Sequence, residues 1–329
     1  MNKTKVVIVG ASGYSGQELI RLLLRHPQVE IVCFTSRQYA GKSVADIFPR
    51  FRGQIDAAFV EPKLDNLAGD AAFLALPHGV AAEFATGLLR KGMKVLDLSA
   101  DFRLKSAAVY KEFYDLDHPA PELLLQSVYG LPELHRDKIR GASLIACPGC
   151  YPTSIILAVA PALKRGLVKS SGIIANSLSG VSGAGRKVSE EYLFTECNES
   201  ARAYGIPKHR HLSEMEQELG ATLSFAPHLI PLNRGILSTV YMDLAQPADA
   251  LAVYREFYQG ERFVRVTDAL PDTKNVESTN FCDISVRIDR RTNKLIAVSA
   301  IDNLTKGAAG QAVQCLNIVC GYDETTGLL

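Results

Sequence analysis

The sequence predicts two folded parts: a doubly wound α/β part built on a parallel sheet, followed by an α+β part. Three observations carry this. Strand-like and helix-like segments alternate up to about Gly149. Beyond Cys150 strand-like runs dominate, with few helices between them. The length, 329 residues with no internal repeat or low-complexity tract, suits two domains.

In order, Val6–Val9 reads as a first strand and Gln17–Arg25 as a helix with Leu19, Leu22 and Leu23 on one face. Glu30–Phe34 is a second strand. Ala71–Leu76 is a short apolar run stopped by Pro77, and Ala81–Lys91 is a helix ending near Gly92. Val95–Leu98 and Leu144–Ala146 are further strands. A helix over Thr153–Lys164 then leads to strands at Gly172–Leu178, Ile236–Leu244, Phe263–Thr267, Cys282–Ile288 and Lys294–Ile301. Pro247–Gln259 reads as a helix with proline at its start, and Ala308–Cys320 as the last helix, whose host domain the pattern does not reveal.

Composition narrows the function classes. The chain is 47% hydrophobic and 22% charged, an ordinary globular balance. A net charge of +1 argues against a nucleic-acid partner. No run approaches the ~20 apolar residues of a membrane span, and no leader-like segment stands at the N-terminus, so no membrane partner and a cytoplasmic location are expected. The seven cysteines include one closely spaced pair, which suits free thiols.

The first strand runs into Gly10-Ala11-Ser12-Gly13-Tyr14-Ser15-Gly16 and then a helix. Glycines there let the backbone approach a pyrophosphate, and the helix N-terminus supplies N–H groups and a positive dipole end. An NAD site wants a carboxylate about 20 residues further on. The second strand ends instead in Thr35-Ser36-Arg37, a hydroxyl and a guanidinium that suit a 2′-phosphate. NADP is therefore expected over NAD. Pro77 and His78, after a strand, can border the same cofactor.

The strand Leu144–Ala146 enters Cys147-Pro148-Gly149-Cys150-Tyr151-Pro152-Thr153. Cys150 thus stands at or just before a helix N-terminus, where a thiolate is favoured. Read on its own, the pair allows a nucleophile beside a nicotinamide, a C-x-x-C redox pair, half of a metal site with His209 and His211, or a buried thiol. Only the first also explains the glycine loop, and no resident metal is expected. A nucleophilic thiol needs a proton-handling partner. His26, His118 and His135 need only surface roles. The richest segment is Gly205-Ile-Pro-Lys-His209-Arg210-His211-Leu-Ser-Glu214. On a helix His211 and Glu214 share a face, so the carboxylate can orient the ring. Ser179-Gly-Val-Ser182-Gly183-Ala-Gly185-Arg186-Lys187 is a second glycine loop that can cover the nicotinamide or hold substrate.

The Cys150 segment resembles the active-site signature of the N-acetyl-γ-glutamyl-phosphate reductase family. The resemblance extends in order through Gly10–Gly16, Leu76–Gly79, Asp97–Arg103, Ser179–Lys187, His209–Glu214, Pro227–Arg234 and Asp302–Gly307. It implies the semialdehyde-dehydrogenase architecture: a Rossmann-like NADP-binding domain, 1–149 with 305–329, and a catalytic α+β domain, 150–304, that makes subunit contacts. A homodimer or homotetramer is implied, with NADPH reducing an acyl phosphate to an aldehyde in arginine biosynthesis. The thiol nucleophile maps to Cys150 and the acid–base to His211 in preference to His209. Arg103, Arg186, His209 and Arg210 are the candidates for substrate phosphate and carboxylate. Two departures stand out. Ser154 replaces the usual Ala or Gly. Cys147 replaces the usual Asn, and its spacing from Cys150 permits an inactivating disulfide. The rivals are an acyl-phosphate reductase of lysine synthesis, an aspartate-semialdehyde dehydrogenase, a thiol–disulfide protein and a non-catalytic NADP sensor.

Overall fold

The computed structural model describes residues 2–186 and 188–329. Two compact units divide the chain. The first holds the residues up to Lys111, Asp115–Pro148 and Ala308–Leu329; the second holds Glu112–Tyr114 and Gly149–Gly307. The chain crosses at Pro148/Gly149 and at Gly307/Ala308, and briefly at Glu112–Tyr114. The second crossing falls inside the π-helical turn Thr305–Ala309.

The first unit contains β1 (Thr4–Val9), α1 (Tyr14–Leu23), β2 (Val29–Phe34), α2 (Val44–Ile47), β3 (Ala71–Leu74), α3 (Ala81–Arg90), β4 (Lys94–Asp97), most of α4 (Ala107–Tyr114), β5 (Val128–Tyr129), α5 (Pro132–Arg140) and β6 (Leu144–Ala146). Its strands are all parallel, in the order β2-β1-β3-β4-β6-β5. Strands buried on both faces read as continuous apolar runs. Val6 and Ile8 accordingly join one core with Leu19, Leu23 and Leu316, while Val7 and Val9 join another with Phe84 and Leu88. The last helix of the chain returns to this unit, where Gln311 Nε2 and Cys315 Sγ donate to the Gly130 carbonyl (2.8 and 3.4 Å).

The order of the remaining elements is α6 (Cys150–Lys164), β7 (Ile173–Gly180), α7 (Phe194–Cys197), β8 (Arg202–Ala203), α8 (His211–Leu219), β9 (Leu223–Ile230), β10 (Ile236–Asp243), α9 (Ala250–Phe257), β11 (Val264–Val266), β12 (Cys282–Asp289) and β13 (Lys294–Ile301), with α10 (Gly310–Cys320) in the first unit. The second unit's mixed sheet runs β11-β12-β13-β10-β7-β9-β8. α6 packs on β10 and β13, α8 on β9 and α9 on β12. Directly paired residues share a face. The half-exposed face therefore carries Ile174, Leu178, Leu237, Tyr241, Ile296 and Val298.

Helix α6 contains Pro161, which cannot donate to the Leu157 carbonyl four residues back. The Tyr258 hydroxyl donates to that carbonyl (2.5 Å) and Tyr254 to its neighbour at Ala158 (2.6 Å). Beneath the same helix the paired residues Ser177, Ser238 and Ser299 form a row across β7, β10 and β13. Ser154 docks into that row, its hydroxyl 2.8 Å from Ser238 and 2.7 Å from Ser299. The hydroxyl at 154 is thus one of four that satisfy one another in the core.

Several expectations need correction. α1 begins at Tyr14, because Gly13 already serves as its N-cap. α9 begins at Ala250 and Pro247 lies outside it; the Asp249 side chain accepts the Ala252 N–H and sets the start (3.1 Å). Strand β9 and helices α4 and α5 were not anticipated. Two of the histidines assigned to the surface are buried: His26 pairs with Asn317 Oδ1 (2.8 Å) and His118 with the Asp101 carbonyl (2.6 Å).

Candidate active site

Cys150 is the first residue of α6, behind an extended N-cap at Gly149 that no side chain caps. The Thr153 N–H and hydroxyl both go to the Gly149 carbonyl (2.9 and 3.0 Å). The Tyr151 N–H has no intrahelical acceptor in such a turn and Pro152 has no N–H, so the positive helix end is presented where the sulfur stands.

His211 opens α8, and Glu214 follows one turn later. Glu214 is only 1% exposed; its Oε2 accepts the Gly149 N–H (3.2 Å) and its Oε1 lies 4.0 Å from His211 Nε2. A Cβ on Gly149 would fall 2.7 Å from His211 Nε2 and 2.9 Å from Glu214 Oε1. Imidazole and carboxylate are therefore packed against the backbone immediately before Cys150. Gly307 packs on Cys150 itself, since a Cβ there would lie 2.8 Å from the cysteine Cβ.

Tyr204 donates to the Tyr151 hydroxyl (2.9 Å), which donates to the His228 carbonyl (3.4 Å). Burial pushes both phenols above their usual range, and the Cys150 sulfur adds to it. His209 sits among Tyr151, Tyr204, Phe225 and His211, with ring centroids 4.9–5.8 Å away. Its Nδ1 accepts the His211 N–H (3.1 Å). Burial, with Arg210 adding to it, pushes its pKa down to about 4. Of the two histidines, His211 is the one set beside a carboxylate.

Arg210 is exposed, and its charge acts on both His209 and Tyr204. Arg186 is exposed after the turn Val181–Ala184; Lys187, the end of that motif, lies outside the described residues. Ser182 is engaged on two sides, donating to the Asn233 carbonyl (2.5 Å) and accepting from Asn303 Nδ2 (3.0 Å), while Gly183 is exposed.

In the first unit, a Cβ on Gly10 would sit 2.3 Å from the Ala75 carbonyl oxygen, and one on Gly16 2.6 Å from the Gly10 oxygen. Both glycines are demanded by space. Thr35 clips this loop, accepting from the Gly10 N–H through its hydroxyl (3.1 Å) and from the Ala11 N–H through its carbonyl (2.9 Å). Gly13, Tyr14 and Ser15 form the start of α1, which no side chain caps. Ser12 and Ser36 share a hydroxyl hydrogen bond (2.9 Å), and Arg37 beside them is exposed. A helix start left to backbone N–H groups fits a pyrophosphate, and two hydroxyls with a guanidinium and no carboxylate fit a 2′-phosphate.

Pro77 and His78 lie in the loop after β3. Asp101 anchors that loop, accepting from the Gly79 N–H (2.6 Å), the Ala82 N–H (3.1 Å) and the Tyr110 hydroxyl (3.0 Å). Arg103, one of the candidates for substrate anions, lies in the first unit. It is 6% exposed, and its Nε and Nη2 donate to the carbonyls of Cys147 (2.8 Å) and Leu98 (3.0 Å). Those nitrogens fix strand ends within the first unit. Burial, then the Asp101 charge, pushes the nearby Asp97 carboxyl up to about 7. Cys147 is fully buried in the first unit's core, and it and Cys150 are both free thiols.

Comparison with known proteins agrees with this picture. A family model described as the semialdehyde dehydrogenase NAD binding domain matches residues 5–142, and one described as the semialdehyde dehydrogenase dimerisation domain matches residues 150–303. The N-acetyl-gamma-glutamyl-phosphate reductase of Akkermansia muciniphila is 51% identical over 100% of this chain and 99% of its own. Those of Pelotomaculum thermopropionicum and Geobacter sulfurreducens are each 50% identical over 98% of this chain and 97% of theirs.

The chain belongs to the N-acetyl-γ-glutamyl-phosphate reductase family.

The wider fold is that of the semialdehyde dehydrogenases. Aspartate semialdehyde dehydrogenase II from Vibrio cholerae superposes with a TM-score of 0.74 at 17% identity, covering 97% of this chain and 99% of that one. The enzyme with NADP from Candida albicans gives 0.71 at 16% identity, covering 97% and 99%. Within this family member, sequence reasoning overlooked Asp101, Tyr204, Asn303 and Gly307. Asp101, Asn303 and Gly307 lie in motifs already singled out but carry no chemistry that spacing reveals. Tyr204 leaves no signal at all. Among the described residues no helix is long and apolar enough to cross a membrane.

Proposed function

We propose that this reductase converts N-acetyl-γ-glutamyl phosphate to N-acetylglutamate 5-semialdehyde and phosphate, the NADPH-dependent reduction of arginine biosynthesis, in the cytoplasm. The observation that carries the mechanism is the buried Glu214–His211 pair packed on Gly149, directly before a cysteine at a helix start.

Cys150, as the thiolate, attacks the γ-carbonyl carbon; the bond from that carbon to the phosphate oxygen breaks and inorganic phosphate departs, leaving a thioester. Covalent capture splits one difficult step into two easier ones. The Gly10–Gly16 loop, with Pro77, His78, Ser36 and Arg37, would hold NADPH, which when bound would supply the hydride for the thioester carbon. The Tyr151 N–H at the start of α6 holds the developing oxyanion. As that oxyanion collapses, the carbon–sulfur bond breaks, the aldehyde leaves and the Cys150 thiolate returns. His211, its charge supported by Glu214, stabilises the thiolate and exchanges the proton. Arg186 and Arg210 with the Ser182–Gly183 turn are the groups within the second unit that can meet the substrate's anionic oxygens.

A homodimer or homotetramer suits the second unit. The apolar residues on the half-exposed face of its sheet, Leu237, Tyr241, Ile296 and Val298 among them, fit a second copy of the same face.

The test runs the reaction backwards: phosphate-dependent reduction of NADP⁺ by N-acetylglutamate semialdehyde, with wild type and Cys150→Ala. Phosphate-dependent turnover by the wild type and none by the variant, with NADPH binding retained, is expected. Near-normal turnover by Cys150→Ser removes the covalent route. A kcat/KM higher on aspartyl phosphate or on the lysine-pathway acyl phosphate removes the substrate assignment.

A further inference from the structure

We propose that His209 is a positioning residue: its ring Nδ1 caps the start of α8 and so fixes His211 beside Gly149 and Cys150. This rests on the reading of His211 as the acid–base of Cys150. The helix lacks an ordinary cap. Arg210, the residue before it, already has helical angles (φ −56°, ψ −32°) and makes no side-chain cap. The first N–H groups of a helix have no carbonyl four residues back to accept them. The one at His211 is taken by His209 Nδ1 at 3.1 Å. A side-chain acceptor two residues before the N–H it receives is the arrangement asparagine makes in an Asx-turn.

The ring is held so that it can do this. Gly205 (φ +62°) lies against it, where a Cβ would fall 2.9 Å from His209 Cδ2. Tyr151, Tyr204 and Phe225 meet the ring at steep angles, between 72° and 90°. An Nδ1 that accepts must be unprotonated, so the neutral ring carries its hydrogen on Nε2. The groups facing it are Arg210, His211, Tyr151 and Tyr204; burial and Arg210 both disfavour its protonation, with its pKa pushed down to about 4. The cap therefore persists through neutral pH. The two histidines are then a fixed neutral acceptor and a mobile proton carrier.

Two isosteric changes separate this from substrate binding through Nε2. In His209→Asn the amide oxygen stands in for Nδ1, and in His209→Gln the terminal amide stands in for Nε2. With N-acetylglutamate semialdehyde, phosphate and NADP⁺, His209→Asn is expected to keep kcat within about threefold, while His209→Gln loses about five- to tenfold, the size of a lost cap expressed in the barrier. KM stays near wild type in both, and the pH profile of His209→Asn keeps its shape. If His209→Gln retains kcat as well as or better than His209→Asn, or if KM carries the change, the proposal is overturned. A nitrogen-15 spectrum of histidine-labelled wild type decides independently of activity and of variant folding. It is expected to show His209 with an unprotonated Nδ1 near pH 7, and a protonated Nδ1 there overturns the cap. An inactive wild type would refute the proposed function while leaving this spectrum able to decide the cap.

Discussion

Replacing Glu214 by glutamine removes one buried charge and little else. The amide keeps a carbonyl oxygen to accept the Gly149 N–H, now 3.2 Å from Oε2, and its volume matches the 1% exposed slot. What is lost is the attraction between a carboxylate and an imidazolium whose nearest atoms are 4.0 Å apart. Two unit charges at that distance interact by about 4 kcal/mol at an effective dielectric near 20. His211 is 12% exposed, so solvent and ions screen part of this. A loss of about ten- to a hundredfold in kcat/KM is the expectation. The assay is a pH profile of kcat/KM in the phosphate-dependent direction, with thermal unfolding alongside to confirm that the fold survives. A correctly folded Glu214→Gln enzyme with the wild-type profile and less than a threefold loss would refute the assignment of Glu214 as the partner of His211.

Gly149→Ala places a methyl 2.7 Å from His211 Nε2 on a backbone (φ −67°, ψ 157°) that alanine adopts freely. Its kcat should fall about a hundredfold, the scale of an ångström's displacement in an active site; an active variant would show that the ring can move without cost. Tyr258→Phe leaves the Leu157 carbonyl with neither a helix donor nor a hydroxyl, so unfolding should lose about 1–3 kcal/mol in a denaturant titration, and an unchanged midpoint would contradict the role of that phenol. His209 has a folded pKa of about 4 against an ordinary 6.5. Between those values the unfolded chain takes up the proton first, so stability drops as pH falls from 6.5 to 4, by roughly 3 kcal/mol. Asp97, raised to about 7, works in the opposite direction over nearly the same window. The quantity to measure is therefore the wild-type curve minus that of His209→Asn, and a flat difference would count against the buried neutral ring.

Much of the first unit was legible because its signals are local. An apolar strand, three spaced glycines and an amphipathic helix follow one another within β1 and α1, and the absence of a carboxylate after β2 needs only the residues Thr35–Arg37. The start of α6 was equally local, since Cys150 and Pro152 follow a short strand. Strand β9 was not legible. Its Pro227 cannot donate to a ladder and so argues against a strand, and its place between β7 and β8 is decided by partners distant in sequence. The setting of Arg103 was not legible for a related reason. An arginine inside a conserved-looking acidic motif suggests an anion, but whether its nitrogens are spent on strand-end carbonyls is a property of burial, and no spacing rule contains it.

The segment Asp302–Gly307 illustrates how a motif without obvious chemistry can hold a site together. Asp302 accepts the Leu304 and Thr305 N–H groups through Oδ1 (2.8 and 2.9 Å), which tightens the turn. Through Oδ2 it pairs with Arg234 (3.0 Å) and accepts the Ser278 N–H (2.6 Å). Asn303 accepts the Gly235 N–H (2.8 Å) and donates to Ser182 (3.0 Å), and Gly307 rests on Cys150. One short stretch therefore ties the loop after β9, the turn after β7 and the first residue of α6 to a common point. Asp302, Asn303, Thr305 and Ser182 are buried, so their contacts must be satisfied or cost the desolvation of a donor or acceptor. The mutual satisfaction sets their geometry to within a hydrogen bond's tolerance, and this is why residues that touch no reacting atom still belong to the site's architecture.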